Sequence, residues 1–231
     1  MNKEKERLLD LLHQNKITET DYKLLLEALD KNSRIQKVFN FLINPFQKIA
    51  GIYALIMGIS IILIMSYLAN NISIHFPGLL SYIYTRPANG MIKVTPITYL
   101  IIVSQNLISC LTLSIALFIS AKILRQNGLR FIDFIGTIML SRFSYFTVTV
   151  IFYIIYQINS TILDSSDQSI YTIDKIFVML IVFSGLIWQI ILFFNAYKES
   201  SGLTGNKLWR SFIVTLLISQ LLSAFVINFV L

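Results

Sequence analysis

The sequence predicts an all-α, polytopic membrane protein with five transmembrane helices, its amino terminus cytoplasmic and its carboxyl terminus outside, plus a small cytoplasmic helical hairpin. Three observations carry this. Of 231 residues, 55% are hydrophobic and 13% charged, which is too apolar for a soluble domain of that length. Uncharged runs of 20 or more residues recur, and about 20 apolar residues cross a bilayer. The 19 Lys and Arg residues fall mainly before the first run and in alternate connections between runs, as the preference of basic loops for the cytoplasm requires.

The expected divisions are 1–31 for the hairpin, 32–48 for a basic juxtamembrane amphipathic helix and 49–231 for the membrane domain. The charged first thirty residues hold no apolar run ahead of a small-residue cleavage site. No cleavable signal peptide is therefore expected, and the first span acts as its own insertion signal.

Leu8, Leu9, Leu11 and Leu12 give a first short helix its apolar side. A second helix starts at Thr18, a capping residue, with Asp21 at the third helical position and Ile17 placed to staple onto Tyr22. Its apolar face is Tyr22, Leu25, Leu26 and Leu29. The stretch RLLDLLHQNKITETDYKLLLEAL resembles the short helical-hairpin modules called short C-terminal domains. That resemblance implies an interaction module. From Asn32 to Ile43, the residues Ile35, Val38, Phe39 and Leu42 recur at helical spacing, while Arg34 and Lys37 point elsewhere, which predicts a helix beside a membrane surface. Pro45 disfavours helix at Asn44 and ends it.

The first span is Ile49–Leu68, where Ala50, Ala54 and Gly58 recur every fourth residue and offer a small face to another helix. The outer loop that follows, residues 70–96, carries FPGLLSYIY, an aromatic segment suited to the membrane interface, and a lone His75. Ile97–Ala121 is the second span, with the amides Gln105 and Asn106 available for bonds between helices. Lys122, Arg125 and Arg130 mark the next loop as cytoplasmic.

The segment after it has two readings. If Phe131 opens a straight transmembrane helix, Arg142 lies about 16 Å deep at about 1.5 Å per residue, where a charge costs at least about 2.5 kcal/mol. If Phe131–Leu140 instead lies along the interface, the third span is Phe143–Leu163 and Arg142 sits among the cytoplasmic headgroups. The second reading removes that cost and is preferred.

Residues 159–174 hold three Asp and no base, as an outer loop would. Ile176–Tyr197 and Phe212–Leu231 are the last two spans, joined by a cytoplasmic hinge whose bases Lys198, Lys207 and Arg210, like Arg34, Lys37 and Arg142, are expected at the membrane interface. In the fifth span Thr215, Ser219 and Ser223 align on one face and predict helix packing.

The chemistry of catalysis is sparse. Two histidines and the single Cys110, read as a small packing residue, are too few for a metal or nucleophilic site. No phosphate-binding loop appears, the bases are not clustered with aromatics as in nucleic-acid binding, and no cofactor is expected.

Asn44-Pro45-Phe46 before the first span, the order of five spans and WQIILFFNAYKESSGLTGNKLW at residues 188–209 resemble the Ypt-interacting-protein (YIP) family over about residues 40–231. The family's Asp-Leu-Tyr-Gly-Pro motif and its third-span proline near Tyr145 are absent, which is more like the bacterial branch. Within that branch it resembles the YknW type. The resemblance implies a non-enzymatic accessory protein of the cell membrane that assembles or stabilises a complex, an ABC-type exporter that protects against a peptide toxin. The partners expected are the lipid bilayer, membrane proteins including such a transporter, and a second copy of the chain. A small-solute transporter or pore is the alternative, with the amides of the spans lining its path.

Overall fold

The computed structural model describes residues 3–13, 17–72, 95–124, 128–158 and 172–230. Among the described residues there are helices and no strand: α1 (Lys3–His13), α2 (Glu19–Ile43), α3 (Gly51–Ile72), α4 (Pro96–Ile123), α5 (Phe131–Leu140), α6 (Phe143–Ile158), α7 (Thr172–Ser201) and α8 (Gly205–Val230), with a short 3₁₀ turn at Pro45–Gln47. Among the described residues five helices are long and apolar enough to cross a membrane, the number expected, at Gly51–Ile72, Pro96–Ile123, Phe131–Ile158, Met179–Ser201 and Gly205–Ile227. The aromatic loop segment and His75 lie outside the described residues, as does most of the acidic loop.

The chain divides into two compact units, Met1–Pro45 and Phe46–Leu231. In the first, α1 packs on α2 as a hairpin. Thr18 caps α2 as its sequence predicts: Asp21 N donates to Thr18 Oγ (3.2 Å), and Thr18 N donates back to the Asp21 carboxylate (3.3 Å). The hairpin's second helix and the amphipathic helix, expected as separate pieces divided at residue 31, are one continuous helix of 25 residues. Asp30, Lys31, Asn32 and Ser33 supply neither a proline nor a glycine to stop it. The break falls at Asn44-Pro45, where proline stops it.

In the second unit the third span is the central element. Here the structure corrects the preferred reading: Phe131–Leu140 is not a separate interfacial helix but the first half of a broken span, α5 followed by α6. Its register against α3 establishes this. A Cβ added to Gly136 would lie 2.6 Å from Gly51 O, and one added to Gly58 would lie 2.6 Å from Leu140 N. Farther along, Ile72 clusters with Val148 and Phe152. The two spans thus run side by side in the same direction, and glycines where they touch let backbone meet backbone. α4 runs antiparallel to α3, with Thr98 Oγ donating to Asn70 Oδ1 at 2.6 Å.

α7 packs on α5 and α6, whereas α8 packs on α4. Consecutive in sequence, the two helices meet at their shared hinge, where Phe194 stacks on Trp209 at 4.2 Å and crosses Phe212 edge-on at 5.3 Å. The hinge is only Gly202-Leu203-Thr204, tighter than the uncharged runs imply, because both helices continue past their basic residues. Gly202 takes φ +67°, the left-handed conformation that ends a helix without side-chain strain, and its N–H returns to Lys198 O at 2.9 Å.

Candidate functional site

The break between α5 and α6 falls at Ser141 and Arg142. The last turn tightens there, since Arg142 N bonds to Met139 O, three residues back, at 3.2 Å. Ser141 Oγ donates to Ile138 O at 2.6 Å. A serine hydroxyl that bonds backbone in this way competes with the regular ladder and bends helices.

Arg142, expected among headgroups, is 1% exposed inside the bundle. Its Nε donates to Cys110 Sγ (3.2 Å) and its Nη2 to Ser109 Oγ (2.8 Å). The guanidinium carbon lies 5.5 Å from the Tyr145 ring centre and 5.9 Å from that of Phe193, within the range of cation–π attraction. Ser109 and Cys110 are halfway along α4, so the charge sits at the mid-depth of the neighbouring span. Burial in protein rather than lipid, with acceptors and rings around the charge, offsets the insertion cost that argued for the interface.

A second set of bonds ties the same break to α7. Ser144 Oγ donates to Gln189 Oε1, and Gln189 Nε2 donates to Ser141 Oγ at 3.2 Å. Ser141, Ser144 and Gln189 are all fully buried. Three spans are therefore joined by polar side chains: α4 through Ser109 and Cys110, the third span through Ser141, Arg142 and Ser144, and α7 through Gln189.

Toward the hinge, Tyr197 Oη donates to Ser211 Oγ at 3.1 Å, Thr137 and Ser200 share a bond of 3.0 Å, and Arg130 pairs with Asp133 at 2.9 Å. Lys198, Lys207 and Arg210 are exposed around this end, and Lys37 is exposed on α2. The side chain of Arg34 lies outside the description.

Of the residues expected to pack helices, Ala54 and Gly58 are buried, and the structure supplies their partner, α5. Ala50 is exposed and precedes α3, which begins only at Gly51. Its place beside α5 is taken by Gly51 itself. Thr215, Ser219 and Ser223 are buried, while Leu221 and Leu222 are exposed. Ser219 and Ser223 also bond to their own backbone, at Leu216 O (2.9 Å) and Gln220 O (3.0 Å), so the hydroxyls serve the helix while their small size serves the contact.

Ser109, Cys110, Ser141, Ser144, Gln189 and Gly136 were not singled out from sequence as sites. One signal was available: Asn106, Ser109, Cys110 and Ser114 share a face of α4 and are all buried. Among the described residues no three His, Cys, Asp or Glu side chains group as metal ligands. The cluster's chemistry is donation and acceptance between neutral amides, hydroxyls and a thiol around one guanidinium. No protein-family model, curated protein or solved structure matches the chain.

Proposed function

We propose that the chain is a non-enzymatic accessory protein of the cell membrane that assembles or stabilises a membrane-protein complex. One observation carries this reading: the polar side chains at the centre of the bundle bond across helices to one another, as Arg142 does to Ser109 and Cys110 and Gln189 to Ser141 and Ser144. Such bonds fix the arrangement of spans. The resemblance to the bacterial YIP branch adds the kind of partner, an ABC-type exporter acting against a peptide toxin.

A transporter in its own right remains the second reading because the third span is broken at mid-depth beside a charge, a construction on which transporters build binding sites. Reconstitution of the purified chain alone in liposomes separates the two. The accessory reading expects no selective solute flux, and copurification of an ATPase and permease from solubilised membranes. Saturable, selective flux by the chain alone overturns it.

The orientation proposed with this function, amino terminus in and carboxyl terminus out, places the hinge inside. A cysteine at the exposed Thr204 and a tag after Leu231 then react from opposite faces of the membrane.

A further inference from the structure

Because α2 is continuous, its charges belong to one rod, and they are segregated along it. Glu19, Asp21, Glu27 and Asp30 stand against Lys23 in the first half, whereas Lys31, Arg34 and Lys37 meet no acid in the second. The second half also leaves large apolar groups uncovered by protein: Val38 is 59% exposed and Phe39 60%. At helical spacing Val38, Phe39 and Leu42 share a face, and Asn40 lies across the helix from it.

We infer that the C-terminal half of α2 docks on an anionic lipid leaflet, with Val38, Phe39 and Leu42 toward the acyl boundary and the basic residues drawn to the headgroups, while the acidic first half is held off that surface. Two features select lipid over other occupants. The three bases lie within 20 residues of Gly51, where the first span begins, the separation over which positive charge couples to a bilayer. A second copy of the same half-helix would set bases against bases, whereas an anionic leaflet complements them. Apolar burial and charge attraction then act together, as in interfacial helices. The inference does not depend on the accessory reading and concerns a different unit of the chain.

The test uses the full chain, one per nanodisc, with an environment-sensitive fluorophore on Phe39→Cys or, for comparison, Asn40→Cys. Cys110 is fully buried and stays in place. The unsubstituted chain measures its background labelling. Discs contain phosphatidylcholine alone or with one part in four phosphatidylglycerol. In anionic discs, the label at position 39 is quenched by doxyl lipid and shielded from aqueous iodide, and the label at 40 shows the reverse. In phosphatidylcholine discs the contrast weakens. Arg34→Gln and Lys31→Gln each lower the docked-to-free ratio on the order of fivefold, while Lys23→Gln leaves it unchanged. Access of iodide to position 39 in anionic discs overturns the inference. Shielding from both quenchers overturns it in favour of a protein partner or second copy. Equal lipid quenching in both disc types with no response to the glutamine variants overturns the electrostatic selection that defines the site.

Discussion

The third span and the fifth differ in what surrounds them. In the third, 56% of the most apolar stretch is buried within the protein, against 28% in the fifth. The fifth span touches the bundle along one face, through Thr215, Ser219 and Ser223, and leaves Leu217, Leu221 and Leu222 exposed on the others. Its composition answers to lipid, so an uncharged run locates it. The third is enclosed by α3, α4 and α7, and its composition answers to those helices instead. It therefore carries Thr137, Ser141, Arg142 and Ser144, all buried, within what hydropathy alone divides in two. A charge marks the end of a span where lipid is the neighbour, and marks an interhelical contact where protein is.

The largest expected effect tests the enclosure directly. Gly136→Leu places a side chain against the Gly51 carbonyl, with the Leu55 amide 3.0 Å from its Cβ, and neither backbone group can turn aside. A loss of about 3 kcal/mol or more is expected, at or beyond the upper range of overpacking. Thermal unfolding in detergent should show it, beside a near-normal Gly128→Ala control whose Cβ would meet nothing within 4 Å, discounted only for the strain of its positive φ. Equal behaviour of the two variants would mean that α3 and α5 do not pack as described.

Next comes the charge itself. Arg142→Lys keeps a cation but not the fork that reaches both Ser109 and Cys110. Hydrogen bonds to charged groups contribute about 1.5 to 3 kcal/mol, and a loss of that size is expected. Lys207→Leu, at an exposed position in the first turn of α8, should stay within about 0.5 kcal/mol. Similar shifts for the two would return Arg142 to the membrane surface.

On the fifth span, Ser219→Leu and Ser223→Leu should each cost about 1 to 3 kcal/mol by forcing α8 from its neighbour, whereas Leu221→Ile and Leu222→Ile should be tolerated. The same thermal measurement, with copurification of any partner, decides it. Loss of the difference would remove the distinction between the buried and lipid-facing sides of this helix.

Legibility followed the same division. The number of spans, the serine face of α8 and the Thr18 cap were readable because each depends on local spacing or on lipid, which acts alike on every exposed residue. The broken third span was misplaced because the cost assigned to Arg142 assumed lipid around it. Its compensation comes from Ser109 and Cys110, more than thirty residues earlier, and no local pattern links them. Gly136 lacked meaning until α3 was set beside it. Ala50 was misassigned by one turn geometry, since the fourfold spacing continues beyond the point where the helix starts.

The smallest effect lies at the opposite limit from the third span, where a charge stays wholly in water. At the start of α2, hydrogen bonds from the Thr18 hydroxyl and then the Thr18 amide hold the Asp21 carboxyl below its ordinary range. A carboxylate whose affinity for protons falls on folding favours the folded state above its unfolded pKa, near 3.8. That contribution fades as pH drops through the folded value. First-turn amides of α2 should therefore lose hydrogen-exchange protection toward acid, in a window beginning near the ordinary carboxylate range and extending below it. Asp21→Asn should flatten this dependence without removing the helix. Thr18→Ala removes the cap at any pH and should cost about 1 kcal/mol locally. The third span should show neither response in the same experiment, since protein rather than solvent surrounds Ser141, Arg142 and Ser144. An acid-dependent opening of α5 and α6 that matched that of α2 would mean that the central span feels solvent after all, and the contrast between enclosed and exposed charge would fail.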